Sequence, residues 1–411
     1  MQFKELPLHA LIQKAVAEMN YREATPIQVA TIPMALAGND LIASAETGTG
    51  KTAAFALPLI QRLLEAKALQ KKQKKIRGLI VSPTRELAVQ IHDSIQSYAM
   101  YTKLNSGVLF GGTSIEPQLA RLKKGVDIIT ATPGRLLDLH KQDQLNLDYV
   151  EYFVIDEADL MLDMGFIDDV QKIARLCPEE KQTLLFSATM PTKVVQLARS
   201  ILRDPERIDV TPTSAVAGNV KQGLYYVSKS DKIELCLHLL RNTIRGNLLI
   251  FRRTKNQVAK LEQSLLKNGF LVDSLHGDKS QSERQRALNR FRNGAVQVLI
   301  ATDVASRGID IERLDNVLNF DVPGQPETYV HRIGRTGRAG EEGIAHTFCA
   351  AEERSNVKAI QKLIRGAIPV IEEHPYPQAK DAQPQVHKKK GSKHKKGRKS
   401  AASKKNKKRW Y

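Results

Sequence analysis

The sequence predicts an α/β protein of two similar domains, each a parallel sheet flanked by helices, followed by a basic C-terminal tail without a core. Three observations lead there. The chain has 411 residues, too many for one ordinary hydrophobic core. Short, nearly continuous apolar runs alternate with helical stretches, the pattern of parallel strands covered on both faces. That pattern stops at a small, polar segment, Thr211 to Asn219 (TPTSAVAGN), and then starts again.

In chain order, Leu8, Leu11, Ile12, Ala15, Val16 and Met19 recur at helical spacing and predict an amphipathic helix over 3–20. Strands follow at Leu41–Ala43, Gly78–Val81, Gly107–Phe110, Asp127–Ala131, Phe153–Ile155 and Thr183–Phe186. The second series comprises Gly223–Val227, Leu248–Phe251, Phe270–Val272, Val296–Ile300, Val317–Phe320 and Ile344–Phe348. Domains are therefore expected at 1–210 and 220–371, joined by a linker at 211–219. From Glu372 apolar periodicity ends, and Pro375, Pro377 and Pro384 lead into a lysine-rich run. Residues 372–411 are expected to be disordered. Lys71, Lys72, Lys74 and Lys75 fall in a polar loop, read first as a solvated surface and second as an auxiliary contact for a polyanionic partner.

Charge sharpens the division. The formal net charge is +19, and thirteen basic residues with no acid follow His387, leaving +6 for the remainder. A mildly basic body with an extremely basic tail points to a polyanionic partner. The three cysteines, Cys177, Cys236 and Cys349, have neither zinc-ligand nor disulfide spacing and suit a reducing compartment. No secretory signal pattern or apolar run long enough to span a bilayer occurs, so a cytoplasmic protein without membrane contact is expected.

Chemistry concentrates first at Ala45-Glu46-Thr47-Gly48-Thr49-Gly50-Lys51-Thr52, between a strand and an apolar helix. Glycines let backbone N–H groups wrap a phosphate, and the new helix directs its positive dipole end at it. Lys51 is placed to reach the β- and γ-phosphates of ATP and Thr52 to hold Mg²⁺. The strand Phe153–Ile155 ends in Asp156-Glu157-Ala158-Asp159. Ligands lie beyond the carboxyl ends of strands in such sheets, which brings these acids to the phosphate loop. Asp156 is then a second Mg²⁺ ligand and Glu157 the base for an attacking water.

Taken together, these residues resemble the DEAD-box RNA helicases of superfamily 2. Asp156–Asp159 spells DEAD, and Ser187-Ala188-Thr189 follows in the family's order. So do Thr25-Pro26-Ile27-Gln28, Pro83–Ala88 (PTRELA), Gly111-Gly112, Thr132-Pro133-Gly134-Arg135, Ala301–Asp310 (ATDVASRGID) and His331–Arg338 (HRIGRTGR). The resemblance covers roughly residues 3 to 365. Tyr21-Arg22-Glu23 and the lysine-rich end resemble the bacterial RhlE-like group within the family. Asn20 and Ala24 depart from the family's usual Gly and Pro, and Phe251-Arg252-Arg253-Thr254 carries one Arg more than the common pattern.

The resemblance implies two RecA-like domains that close on ATP and RNA together. Gln28 would read the adenine edge, with Phe3 and Tyr21 beside the base, and Gly308 and Asp310 would complete the nucleotide contacts near the ribose. Arg335 and Arg338 match arginine fingers, a cation supplied from the second domain to the phosphate where charge develops. Asp159, Ser187, Thr189 and His331 would couple nucleotide to RNA. Arg85, Gly112, Thr132, Gly134 and Arg135, with Arg253, Thr254, Gln281, Arg284, Thr302 and Arg307, would hold RNA phosphates without reading sequence. The expected activity is RNA-stimulated ATP hydrolysis driving local unwinding of short duplexes or remodelling of RNA–protein complexes. An ATP-dependent RNA clamp and a DNA helicase of the same superfamily are the alternatives. Ribosomal or RNA-degradation proteins are expected partners, and related proteins serve ribosome assembly, RNA decay and cold adaptation. The tail is read as a non-specific RNA tether, with Trp410 and Tyr411 as a lesser candidate for base stacking.

Overall fold

The computed structural model describes residues 1–45, 48–69, 75–210, 220–306, 314–337 and 342–378. The segment Thr211–Asn219, the lysines at 71, 72 and 74, and the lysine-rich tail lie outside the described residues.

Two sheets form. The first contains β1 (Leu41–Ser44), β2 (Gly78–Val81), β3 (Ser106–Leu109), β4 (Ile128–Ala131), β5 (Tyr152–Ile155), β6 (Gln182–Ser187) and β7 (Glu206–Asp209), in the order β3-β4-β2-β5-β6-β1-β7. The second contains β8 (Val220–Tyr226), β9 (Leu248–Arg252), β10 (Val272–Leu275), β11 (Val298–Thr302), β12 (Asn316–Asn319) and β13 (Gly343–Cys349), in the order β10-β11-β9-β12-β13-β8. Every pairing among these strands is parallel.

Parallel strands need crossover helices, and those helices cover both faces, so the central strands are apolar throughout. All residues of β2, β4, β5 and β6 are buried. Alternate side chains divide between the faces: Ile80, Val154 and Leu184 enter one core, while Leu79, Phe153, Ile155 and Leu185 enter the other. This two-sided burial explains why the strands read as continuous apolar runs.

Four details differ from the sequence reading. The expected helix over 3–20 is broken: Phe3–Glu5 forms a 3₁₀ turn and a helix runs only over Ala10–Glu18. Pro7 accounts for the break, because it lacks an N–H and its ring clashes with a preceding helical turn. β7 was missed because it is an edge strand with one buried residue, Ile208, among exposed polar ones. β10 lies further along the chain than Phe270–Val272. Leu271 is 62% exposed, whereas the polar Ser274 is fully buried and donates to Glu262 Oε2 at 2.8 Å. The second body also extends past 371. Val370 bridges to Leu224 beside β8, Gln378 N–H donates to the Tyr226 carbonyl at 3.0 Å, and Tyr376 packs on the core. This segment covers a sheet edge that unpaired backbone groups would otherwise line. Among the described residues, no helix is long and apolar enough to cross a membrane.

Candidate functional site

The phosphate loop leaves β1 at Ser44 and enters the helix Lys51–Leu69. Gly48 and Gly50 have φ of +87° and +89°, conformations that favour glycine. At Gly50 a Cβ would collide with the Gln28 side-chain amide. That amide donates to the Gly50 carbonyl at 3.2 Å, and its oxygen accepts the Thr25 N–H at 2.9 Å. Gln28 thus joins the loop to the helix Pro26–Ala37. Ala45 is buried and continues the sheet through its N–H to the Ser187 carbonyl, 3.1 Å. Phe3 is 2% exposed and meets Tyr21 edge-on at 5.3 Å between ring centres. The structure therefore sets Phe3 in the core and leaves Tyr21, half-buried and bonded through its hydroxyl to Tyr98 at 3.0 Å, as the more accessible ring.

Lys51 and Glu157 meet across 106 residues of sequence, with Nζ 3.1 Å from Oε1. The adjacency of β1, β6 and β5 brings them together. Glu157 sits at the start of the helix Ala158–Asp163 in left-handed backbone geometry, φ 55° and ψ 54°. Such a conformation costs about 1–3 kcal/mol outside glycine and persists only where surroundings fix it. Here the Lys51 contact and the Met161 N–H donated to the Glu157 carbonyl at 3.0 Å hold it.

The two neighbouring acids behave differently. Burial pushes the Asp156 carboxyl well above the usual range, and the nearby Glu157 charge adds to the effect against the pull of Lys51. Burial also opposes ionisation of Glu157, but Lys51 and Arg335 outweigh it and hold that carboxyl below its ordinary value. Burial alone would lower Lys51, yet the carboxylates of Glu157, Asp156 and Asp159 raise it. Glu157 is thus ionised beside a less readily ionised Asp156, a difference that follows from environment.

Asp159 lies two residues beyond Glu157. Its Oδ2 accepts both the N–H and the hydroxyl of Thr189 at 2.9 Å, and its N–H donates to Ser187 Oγ at 3.1 Å. Ser187 in turn donates to the Thr189 carbonyl at 2.7 Å. These bonds tie the loops after β5 and β6 into one unit.

Across from this unit, the helix Pro326–Ile333 of the second body presents His331, with Arg335 just beyond it. Glu157, Asp159, Thr189, Gln325, Thr328 and Arg335 are among the residues lining one cavity of about 560 Å³ shared by the two bodies. Its wall therefore combines a carboxylate from one sheet with a guanidinium from the other.

The expected RNA contacts stand where strands give way to loops and helix starts. Arg85 opens the helix Arg85–Tyr98 after β2. Its guanidinium lies against Gly112, where a Cβ would meet it and φ is +76°. Thr132 heads the helix Pro133–Lys141, and around Gly134 nothing lies within 4 Å of a notional Cβ. Arg135 donates to the Thr113 carbonyl at 3.2 Å. In the second body Thr254 caps the helix Lys255–Lys267, Thr302 ends β11, and Gln281 begins the helix Gln281–Arg292. Arg253 is 57% exposed at its side chain. Gln281 and Arg284 both reach Glu86 Oε1 of the first body at 3.1 Å.

Glu86, 5% exposed, is the site residue the sequence reading missed. It lay inside a quoted motif, but its partners are nearly two hundred residues away. Glu46, Thr47, Arg307, Gly308, Asp310 and Arg338 lie outside the described residues.

Comparison with known proteins accords with this geometry. The DEAD/DEAH box helicase family profile matches residues 25–197, and the helicase conserved C-terminal domain profile matches residues 231–340. The DEAD-box ATP-dependent RNA helicase CshA of Bacillus subtilis is 40% identical over 384 residues, covering 93% of this chain and 76% of that protein. CshA of Geobacillus kaustophilus is 40% identical over 360 residues, covering 88% and 76%. Among solved structures, Saccharomyces cerevisiae Dbp5 bound to RNA and ADP BeF3 has a TM-score of 0.80 at 32% identity, covering 90% of this chain and 94% of that one. Mss116p bound to single-stranded RNA and AMP-PNP has a TM-score of 0.82 at 29% identity, covering 91% and 80%. With both halves of the helicase core matched in order and its sheets built as in those structures, the chain belongs to the DEAD/DEAH box helicase family.

Proposed function

We propose that the protein is an ATP-dependent RNA helicase whose ATPase is completed by closure of its two bodies and whose work is local separation of short RNA duplexes. The observation that carries this reading is the shared cavity, in which Glu157 faces His331 and Arg335. A hydrolytic site divided between two bodies works only when they approach, and RNA spanning both favours that approach.

ATP binding exchanges partners at Lys51, from the Glu157 carboxylate to the β- and γ-phosphates. Glu157 is then released to orient and deprotonate water, and Arg335, with Arg338, neutralises charge growing on the phosphoryl group; such a finger is worth about 10³–10⁵ in rate. Thr52 and the buried Asp156 supply hard oxygen donors suited to Mg²⁺. When bound there, the ion would screen phosphate charge. Gln28 and Tyr21 select adenine, and Gly308 with Asp310 contact the ribose. Asp159, Ser187, Thr189 and His331 link this chemistry to the RNA side.

Arg85, Gly112, Thr132, Gly134 and Arg135, with Arg253, Thr254, Gln281, Arg284, Thr302 and Arg307, hold one RNA strand by its backbone. Bending that strand on closure opens a few base pairs at about 1.4 kcal/mol each by the DNA-duplex figure, so only short helices come apart. The bodies assigned to these roles are 1–210 and 220–378, with the lysine-rich tail as an RNA tether. A cytoplasmic setting is supported by three buried free cysteines. Kinship with the RhlE-like group, and ribosomal or RNA-degradation partners, rest on sequence resemblance.

Steady-state ATPase rates with no nucleic acid, single-stranded RNA and DNA test the reading, with Glu157→Gln as control. Stimulation by RNA alone, lost in the variant with a fall of about 10²-fold or more, is expected. Equal stimulation by DNA would favour a DNA helicase, and ATP-dependent RNA binding without turnover would favour a clamp.

A further inference from the structure

The two sheets correspond strand for strand. β8, β9, β10, β11, β12 and β13 hold the places of β1, β2, β3, β4, β5 and β6 in the order of strands. Lys51 is the first residue of the helix that follows β1, and Lys232 is the first residue of the helix Lys232–Asn242 that follows β8. Glu157 stands two residues beyond β5, and Asp321 two residues beyond β12. The lysine–carboxylate pair recurs as well: Lys51 Nζ is 3.1 Å from Glu157, and Lys232 Nζ is 3.9 Å from Asp321.

The second version is closed by its own chain. Between β8 and Lys232 runs Val227-Ser228-Lys229-Ser230-Asp231, without a glycine to wrap a phosphate. Glu353, from the loop after β13, inserts instead. Its Oε2 lies 2.6 Å from Lys232 Nζ and accepts the Ala350 N–H at 3.0 Å. Its Oε1 accepts the Val322 N–H at 3.2 Å and meets Arg253 Nη2 at 3.4 Å. Lys232 also donates to the Phe320 carbonyl at 2.7 Å. The side chains of Lys232 and Glu353 are 3% and 8% exposed.

The same cluster sorts the two consecutive arginines. Arg252 is turned inward, 4.0 Å from the centre of the Phe320 ring and 3.1 Å from Asp321. Arg253 faces outward, with its backbone N–H on Asp321 Oδ2 at 3.0 Å and its guanidinium on Glu353. We propose that Glu353 fills, from within the chain, the anion place beside Lys232, and with its other oxygen sets Arg253 in position to receive an RNA phosphate. Lys232 and Glu353 are thus positioning residues for RNA binding, an inference that rests on the reading of Arg253 as an RNA contact. Arg has many rotamers, and holding it beforehand lowers the entropy lost when RNA arrives.

The test uses the full chain, with Glu353→Gln, Arg253→Ala and the double variant. Single-stranded RNA affinity is measured by anisotropy, with KM for RNA and kcat from the ATPase. Glu353→Gln is expected to weaken RNA binding about fivefold, with the effect falling on KM for RNA and not on kcat, and to add nothing in the Arg253→Ala background. Unchanged or tighter binding, the result of simply removing a negative charge, overturns the proposal, as does full additivity with Arg253→Ala. If Arg253→Ala itself leaves affinity unchanged, the assignment of Arg253 fails first. Should Glu353→Gln not fold, Glu353→Asp keeps the charge, draws the oxygens back by one methylene, and is read by the same comparison.

Discussion

Single residues here are set by what surrounds them more than by their type. Asp156 and Glu157 are adjacent acids driven apart in acidity, one by burial and the other by two cations that overcome burial. His346 shows the same physics away from the site. It is 4% exposed in β13, its Nδ1 is 3.0 Å from the Tyr225 hydroxyl, and burial lowers it to about 4. The folded state therefore holds this histidine neutral, while the unfolded chain protonates it near 6.5. Its contribution to stability is whole above pH 6.5 and is lost as pH falls toward 4, amounting to about 2 kcal/mol by pH 5. His346→Phe should remove that loss. Urea midpoints at pH 7 and pH 5 are expected to converge in the variant relative to the natural chain, and identical acid slopes would contradict this account.

At the scale of elements, the starts of two helices meet at the boundary between the bodies. Helix Arg85–Tyr98 offers Glu86 at its start, and helix Gln281–Arg292 brings Gln281 and Arg284 to it. Glu86→Ala removes the acceptor for both, and charge-assisted bonds of this kind contribute about 1.5–3 kcal/mol each. Turnover without RNA is expected to fall about tenfold, since the bodies lose a contact that favours approach. An unchanged RNA-free rate would show that the contact does not govern closure.

Most of the strands were legible in the sequence because burial on both faces leaves an uninterrupted apolar record, as in Tyr152–Ile155. β7 was not, since an edge strand needs little apolar content, and β10 was legible only with its start displaced, since Ser274 is buried by bonding to Glu262. The Lys51–Glu157 pair could be anticipated because each residue lies in an ordered motif at a strand's carboxyl end. Glu86 with Gln281, and Lys232 with Glu353, could not. Their meaning arises only when bodies dock or when a loop folds back, and neither event leaves a local period in the chain.

At the scale of the whole molecule, the parts are two sheets with matching strand order and a basic extension. Deleting residues 386–411 removes thirteen cations. On single strands each phosphate contact contributes a slope of about −0.7 in log K against log salt, so the truncated chain should bind RNA more weakly and with a visibly shallower salt dependence. Equal slopes would remove the tail from the RNA path, and ATP turnover at saturating RNA reports whether the core is intact. One further property follows from the division of the cavity between two bodies of a single chain. Covalent linkage keeps them at an effective concentration that is roughly millimolar. Assembly of the hydrolytic site is then a first-order event, indifferent to how dilute the protein becomes. Each molecule keeps its own time, set by how often its halves meet.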